Sequence, residues 1–332
     1  MPIQPSPADR SRPALRVATL QRSVLLGSWL AALAWWLGLD QAGHGGLGLS
    51  GASLLVGGSA VILAIEQLLA VWQHGSDPAP RPSARQRLRA WWVEVGYCTA
   101  VFSWRQPFFE HAHADDLRPS GRRGIVLVHG YCCNRAFWHP WRKPLRQAGV
   151  PYVSVSLTPI FTSIDNYAVQ LDEAVQRLQT ATGLAPVLVC HSMGGLVARA
   201  WWRWRSRQAG GESGAPPAHH VLTIGTPHAG TWLARWGRPV NARQVRLDSP
   251  WLRALAAEES DTLRERMTCV YSHCDNIVFP PSTAVLPGTA ALHLEGLAHL
   301  ELAHDPRVLA LALQLAQEPA PSAARTAGSV RQ

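Results

Sequence analysis

One short stretch near the middle of the chain constrains its fold more than any other: PVLVCHSMGGL at residues 186–196. Its first half is a β-branched apolar run typical of a buried strand, and a helical pattern follows with no linker. A sharp turn therefore joins strand to helix, with Ser192 at its tip. The hydroxyl of Ser192 stands clear of its own backbone, and the amide of Met193 lies at a helix N-terminus, which favours negative charge.

The turn matches a known nucleophile motif at all but one position. Cys190 stands where the G-x-S-x-G pattern has its first glycine, and we interpret it as a small buried thiol. Gly194 suits a turn so tight that the backbone two residues beyond the serine must approach the strand before it. A bare S-x-G is common by chance, so the interpretation depends on finding partners for Ser192.

From Gly124 onward the chain alternates strands and helices. We predict strands at 125–128, 152–157, 186–190, 221–224, 267–271 and near Leu292, and helices at 141–148, 167–180, 192–207 and 306–317. Such alternation indicates an α/β fold whose mostly parallel sheet is flanked by helices. The Trp- and Phe-rich residues 88–109 are compatible with a helix or with short strands.

Partners for Ser192 are sought at the carboxyl ends of the strands, where parallel sheets place their ligands. Asp275 follows the strand at 267–271, and His299 lies on a loop before the last helix. Tyr131 follows the first strand, and its amide is a candidate second donor to an oxyanion beside the amide of Met193.

Four further histidines are expected to be structural. His129, at the end of the first strand, is expected to anchor the loop that follows through hydrogen bonds of its side chain. His191 adjoins Ser192, but successive residues point apart. His293 lies within a strand, and His304 is expected at the N-terminal end of the last helix.

Five segments together resemble bacterial serine lipases and esterases of the α/β-hydrolase superfamily. They are VLVHGY at 126–131, VCHSMGGLVAR at 189–199, TIGTPHAGTWLA at 223–234, DNIVFPPSTAVLPG at 275–288 and GLAHLELAHDPRV at 296–308. The resemblance covers roughly residues 124–317. It implies a triad in the chain order of that superfamily, with Ser192 as nucleophile, Asp275 as acid and His299 as base, and an oxyanion hole formed by the amides of Tyr131 and Met193.

The implied reaction is hydrolysis of an ester through an acyl-enzyme, with no cofactor. No acidic pair reproduces the calcium site of some secreted lipases, so no metal is expected. Residues 230–266 hold Trp232, Trp236 and Trp251 among arginines, which is compatible with an amphipathic cap over the site or with a packed surface helix. A thioesterase, an acyltransferase and an inactive membrane-tethered scaffold remain alternatives, and the sequence does not predict an oligomeric state.

Two apolar runs precede the catalytic region. Residues 24–39 are sixteen and residues 47–65 are nineteen consecutive residues without a charge. As a helix the second run spans about 28 Å, close to the hydrocarbon thickness of a bilayer, whereas the first is marginal. The link at 40–46 is too short to belong to a separate core. We therefore predict a membrane hairpin, with a lipid or another apolar acyl ester as the substrate.

The positive charge of the chain, +9, raises the possibility of a nucleic-acid partner. Eight arginines, however, flank the apolar runs: Arg10, Arg12, Arg16, Arg22, Arg81, Arg85, Arg87 and Arg89. A membrane surface explains them, and nucleic acid is not expected. Both ends of the hairpin are then predicted to face the cytoplasm, with the catalytic domain on the cytoplasmic side of the inner membrane. A competing interpretation makes residues 24–39 the core of a cleaved signal peptide.

These patterns divide the chain into five parts. They are a basic disordered N-terminus at 1–22, the transmembrane hairpin at 23–73, a linker and flanking segment at 74–123, the α/β-hydrolase catalytic domain at 124–317 and a disordered tail at 318–332. The six cysteines show no metal-binding spacing and are interpreted as free thiols in a reducing compartment.

Overall fold

The structure, a computed structural model, describes residues 16–208 and 219–317. Residues 1–15 of the predicted N-terminus and the whole predicted tail at 318–332 lie outside the described residues.

A sheet of six parallel strands forms the centre of the molecule. Its strands are β1 (Ile125–Val128), β2 (Tyr152–Ser154), β3 (Val187–His191), β4 (Val221–Ile224), β5 (Met267–Tyr271) and β6 (Ala290–His293). Their order across the sheet is β2-β1-β3-β4-β5-β6, and every neighbouring pair is parallel. The predicted α/β class with a parallel sheet is confirmed, and β2 is shorter than the run predicted at 152–157.

Helices surround this sheet and precede it. In chain order they are α1 (Val17–Gln41), α2 (Gly45–Trp72), α3 (Ala84–Cys98), α4 (Gln106–Phe109), α5 (His139–Gln147), α6 (Ala168–Thr182), α7 (Met193–Gln208), α8 (Val240–Gln244), α9 (Pro250–Ala257), α10 (Asp261–Glu265), α11 (His299–His304) and α12 (Pro306–Gln317). Short 3-10 turns lie at Arg135–Trp138, Ile164–Tyr167, Trp232–Trp236 and Pro281–Ala284.

The core has two layers, one on each face of the sheet. Alternate residues of β1 divide between them, with Val126 and Val128 packed on the side of α6 and α7 and Leu127 on the side of α5 and α12. Successive side chains of a strand point to opposite faces, so a strand covered on both faces must be apolar throughout. This explains why the strands read as continuous apolar runs in the sequence.

The Trp-rich segment before the sheet is helical. A capping box starts α3, since the amide of Gln86 donates to Ser83 Oγ and the amide of Ser83 donates to Gln86 Oε1. A π-helical stretch, Thr99–Arg105, continues α3 into α4. Of the two possibilities that the sequence left open for this segment, the structure has the helix.

The first two helices form a hairpin that is long and apolar enough to cross a membrane. In their most apolar 18-residue windows only 6% of α1 and 11% of α2 is buried, which is unlike the core helices of a soluble protein. Helix α1 begins at Val17, inside the segment 1–22 that was predicted to be disordered.

The two ends of the hairpin pack on the α/β domain that holds the sheet. Gln21 of α1 donates to the carbonyl of Cys132 (3.2 Å), and Gln67 of α2 donates to the carbonyl of Cys274 (3.1 Å). Both carbonyls belong to loops that follow the carboxyl ends of strands. The hairpin therefore leaves the domain at the sheet edge that carries the candidate site.

Candidate active site

Ser192 occupies the turn between β3 and α7 and has a left-handed backbone, with φ of 55°. That region is strained for a residue with a side chain and persists only where neighbouring contacts hold it. Here the amide of Ser192 donates to the carbonyl of Ile224 (2.8 Å), and its carbonyl accepts from Thr226 Oγ1 (2.9 Å). Strand β4 and the loop after it thus fix the turn from one side.

Two glycines let the neighbouring loop approach this turn. A Cβ on Gly194 would lie 2.7 Å from the carbonyl oxygens of Val128 and His129, so only glycine fits where α7 starts beside β1. A Cβ on Gly130 would lie 2.7 Å from the Cβ of Ser192. The loop after β1 consequently runs directly beside the serine. The close approach of Gly194 is thus to the end of β1, and not to the strand before the serine that the sequence suggested.

Asp275 and His299 form a buried pair at the same edge. Asp275 Oδ2 lies 2.8 Å from His299 Nδ1, and the two side chains are 2% and 5% exposed. Asp275 Oδ1 accepts from the amides of Ile277 and Val278, at 2.8 Å each. The carboxylate is therefore fixed by one oxygen and meets the imidazole with the other.

Nearby carboxylates raise the pKa of His299. Burial disfavours the imidazolium, but the negative charge of Asp275, its hydrogen bond and the charges of Glu94 and Glu66 together outweigh burial and raise the pKa of His299 above its ordinary value of 6.5. This makes the imidazole a stronger base than an isolated histidine.

His191, the residue before Ser192, links His299 to the serine turn. Its ring centroid lies 4.5 Å from that of His299, and its Nε2 donates to the carbonyl of His299 (3.2 Å). Among the described residues, the Oγ of Ser192 forms no hydrogen bond with His299. The three predicted triad residues thus lie at one edge of the sheet, with Asp275 and His299 in direct contact and Ser192 adjoining the histidine that packs on His299.

The two predicted oxyanion donors flank Ser192. Met193 is the first residue of α7, where backbone amides have no acceptor within the helix. Tyr131 follows Gly130, the residue whose backbone adjoins the side chain of Ser192. One amide comes from the loop after β1 and the other from the start of α7, so two separate elements can supply the two donors.

The other histidines have structural contacts. His129 accepts from the amide of Leu157 at Nε2 (3.0 Å), and its Nδ1 donates to the carbonyl of Gly130 (2.9 Å), so it anchors its loop as expected. Burial lowers the pKa of His129 to about 4. His293 contacts His273 at 2.9 Å.

Two expectations for the last loop were wrong. His299 does not lie on a loop, because it is the first residue of α11, and His304 ends α11 instead of starting the final helix. The break falls at Asp305, where Pro306 opens α12.

Two residues after β4 were missed as part of the site. Gly225 has φ of +55°, and a Cβ there would lie 3.0 Å from Asp275 Oδ2 and 3.2 Å from the ring of His299. Thr226 supplies the hydroxyl that holds the carbonyl of Ser192. The signal was present in the sequence, since both residues follow a central strand at its carboxyl end.

The insertion at 230–266 consists of short helices. Trp251 donates to Asp165 Oδ2 (2.9 Å), so α9 packs on the domain as a surface helix. Trp232 contacts Trp72 at the end of α2, with ring centroids 6.0 Å apart, and Trp236 is 59% exposed. One part of the insertion is thus packed, and the part with Trp232 adjoins the hairpin.

Within residues 16–208 and 219–317, no group of three or more His, Cys, Asp or Glu side chains is arranged to hold a metal ion.

Solved structures with similar folds include lipases. The mature form of the Bacillus licheniformis lipase BlEst2 aligns with a TM-score of 0.51 and 15% identity, covering 60% of this chain and 94% of that one. Lipase B of Aspergillus fumigatus aligns with a TM-score of 0.50 and 17% identity, covering 60% of this chain and 54% of that one. At such identity the likeness concerns the fold alone.

The sequence itself matches the Alpha/beta hydrolase family over residues 125–328. No curated protein matches the chain. The matched segment holds the parallel sheet, the serine turn and the buried Asp275–His299 pair, and it makes up more than half of the 332 residues. The chain therefore belongs to the alpha/beta hydrolase family.

Proposed function

We propose that the protein is a membrane-anchored serine hydrolase that cleaves apolar acyl esters through an acyl-enzyme. The observation that carries the proposal is the buried 2.8 Å contact between Asp275 and His299 at the sheet edge that holds Ser192. A histidine oriented by a carboxylate next to a serine on a strained turn is the arrangement that activates a hydroxyl as a nucleophile.

Each group at the site has a defined role in the proposed reaction. Ser192 Oγ attacks the ester carbonyl while His299, oriented by Asp275, accepts the hydroxyl proton at Nε2. The amides of Met193 and Tyr131 stabilise the oxyanion. His299 returns the proton to the leaving alcohol, and a water molecule activated in the same way then releases the acid. Because catalytic hydrogen bonds are often long before substrate binds, we expect the contact between Ser192 and His299 to shorten in the complex.

The apolar hairpin supports a membrane location and a lipid-like substrate. Helix α2 has 28 residues, or about 42 Å, which exceeds the roughly 30 Å of the hydrocarbon layer. Its last turns therefore project from the bilayer and reach the catalytic domain, as the contact of Gln67 with Cys274 requires. The mouth of the site then lies close to the membrane surface. The basic flanks support a cytoplasmic location for this side, with the hairpin in the inner membrane.

Two fold neighbours are themselves lipases, which is consistent with an acyl ester as substrate. The insertion at 230–266 adds apolar surface beside the hairpin, since Trp232 packs on Trp72. Both features favour esters with long acyl chains over acetyl esters.

The test of the nucleophile is Ser192→Ala in the full chain in detergent. We expect kcat for p-nitrophenyl octanoate to fall by about 10³ or more and labelling by a fluorophosphonate probe to disappear. Ser206→Ala, on the far end of the same helix α7, is the matched control and should retain both. Near wild-type hydrolysis by Ser192→Ala, or an unlabelled wild-type protein, would refute the proposal.

A further inference from the structure

The first turn of α11, which begins with His299, is held by side chains from distant parts of the chain. The amide of Leu300 donates to both carboxylate oxygens of Glu94, at 2.9 and 3.1 Å, and the amide of Glu301 donates to Glu94 Oε2 at 3.4 Å. First-turn amides of a helix have no acceptor within the helix. Glu94 of α3 supplies that acceptor next to the imidazole.

Glu94 is buried at a position where packing alone would favour an apolar residue. It is 1% exposed, and burial raises its pKa to about 8. Among the described residues, the hydrogen bonds of its carboxylate all go to the amides of α11. A buried carboxyl group is costly unless it is hydrogen-bonded, so its presence needs a reason other than core packing.

A second carboxylate reaches the same turn through Asn276. The amide of His299 donates to Asn276 Oδ1 (3.4 Å), and Asn276 Nδ2 donates to Glu66 Oε2 (2.8 Å). Asn276 is fully buried and directly follows Asp275. Glu66, near the end of α2, thus holds the residue that links the aspartate loop to the backbone of His299.

We propose, building on the proposed function, that Glu94 and Glu66 are positioning residues that hold the first turn of α11 and thereby aim His299 at Ser192. Neither carboxylate touches the reacting atoms. They act by fixing the amides of His299 and Leu300, so that the imidazole keeps the orientation in which Asp275 binds Nδ1 and Nε2 remains free for the serine. The helices α2 and α3 are in this way part of the catalytic unit.

If Glu94 positions His299, kcat should fall further as more of the oxygen atoms that accept from the amides of α11 are removed. Glu94→Gln keeps one acceptor oxygen for the amide of Leu300, whereas Glu94→Leu keeps none. At pH 9, above the pKa of Glu94, we expect kcat for p-nitrophenyl octanoate to fall about 10-fold in Glu94→Gln and about 100-fold in Glu94→Leu, because small displacements of a catalytic group are costly. KM should stay within about twofold, since the acyl site is unchanged. Glu66→Gln should lower kcat by about 3-fold to 10-fold, because it acts through Asn276.

Glu259→Gln is the matched control. Glu259 is an equally buried carboxylate, 1% exposed in its side chain, but it binds Arg199 on the opposite face of the sheet. All variants are made in the full chain, and thermal unfolding is measured beside kcat and KM. We expect Glu259→Gln to lower the midpoint of unfolding without changing the kcat of the folded protein, while both Glu94 variants lower kcat at temperatures where they are folded.

Two results separate this proposal from the proposed function. If wild type hydrolyses the ester in a Ser192-dependent way but Glu94→Gln and Glu66→Gln keep the wild-type kcat, the positioning role is refuted and the enzyme assignment stands. It is also refuted if the Glu94 variants lose kcat only in proportion to the unfolded fraction. If Ser192→Ala leaves the activity unchanged, the proposed function fails, whatever the glutamates do.

Discussion

At Ser192 the backbone is held in a conformation that the residue would not adopt by itself. A left-handed φ of 55° is maintained by the amide bond to Ile224 and the hydroxyl bond from Thr226. The strain places Oγ at the tip of the turn, where a helix N-terminus faces it. The position of the Ser192 hydroxyl thus depends on contacts with Ile224 and Thr226, which lie outside the short sequence motif around the serine.

Asp275 should determine the pH dependence of the reaction. His299 must be neutral to act as base, and its pKa is raised, so kcat/KM should fall as the pH drops through a value above 6.5. Asp275→Asn removes the charge that stabilises the imidazolium. We expect the acidic limb of the profile to move to lower pH, while the maximal rate falls by about 10³ to 10⁴.

The measurement is kcat/KM from pH 5 to pH 9. His191, Glu94 and Glu66 also face His299 and keep their side chains in Asp275→Asn. The charge and the hydrogen bond of Asp275 are the largest of the influences that raise the pKa of His299, so the direction of the shift reports first on the aspartate. An acidic limb that stays in place, or moves to higher pH, would contradict the assigned pair.

The residues of the site differ in how far the sequence reveals them. Ser192, Asp275 and His299 stand at ends of predicted strands in an order typical of one superfamily, so sequence reasoning places them at one edge. Glu94 lies in a Trp-rich helix without any motif, and nothing local indicates that its carboxylate meets the amide of a residue more than two hundred positions away.

At the scale of elements, the strand–turn–helix around Ser192 depends on close contact between β1 and α7. A Cβ at Gly194 would meet two backbone carbonyl oxygens at 2.7 Å, and neither belongs to a flexible side chain. The start of α7 is therefore a position where the packing of β1 against α7 leaves no room for a side chain.

Gly194→Ala should destabilise the fold by about 1–3 kcal/mol or more, because the strand or the helix has to shift. Gly96→Ala is the matched control in α3, where an added Cβ meets nothing within 4 Å. We expect this control to be neutral or to stabilise by up to about 1 kcal/mol. The midpoint of thermal unfolding in detergent measures both, and equal midpoints would disprove the close approach.

The main elements could be predicted because each has a strong local signal. Buried strands read as β-branched runs, and α12 is bounded by Pro306. Short or irregular elements had no such signal. Helix α11 has six residues, fewer than two turns, and the π-helical stretch Thr99–Arg105 interrupts the periodicity of its segment.

For the whole molecule, the hairpin and the catalytic domain meet at the edge that carries the site. The contacts of Gln21 with Cys132 and of Gln67 with Cys274 tie both ends of the hairpin to loops of that edge. An ester with its acyl chain in the bilayer would have a short path to Ser192. Sequence patterns predicted the hairpin but not this docking, because it depends on single side-chain contacts.

The acyl chain should therefore determine the rate. We expect kcat/KM to rise from acetyl to octanoyl esters by about 10-fold or more, since burial of only two of the six added methylenes contributes about 1.6 kcal/mol. The comparison uses p-nitrophenyl esters of increasing length with the protein in phosphatidylcholine vesicles. Preference for the acetyl ester would count against a lipid-like substrate.

The orientation of the hairpin has its own test. A reporter fused after Gln332 that works only in the cytoplasm should be active, and one that requires export should be silent, because the basic flanks favour a cytoplasmic location for both hairpin ends. The reverse pattern would place the catalytic domain outside.

The contact between Glu94 and the amide of Leu300 has a practical consequence for anyone who transplants this domain. The segment recognised by family resemblance starts at residue 125, downstream of α3. A fragment cut there would carry the serine, the aspartate and the histidine, yet it would leave the amide of Leu300 without its acceptor. Such a fragment would also lack Glu66, which holds Asn276. If both glutamates position His299 as proposed, the smallest portable piece of this protein begins at or before Gly45, the first residue of α2.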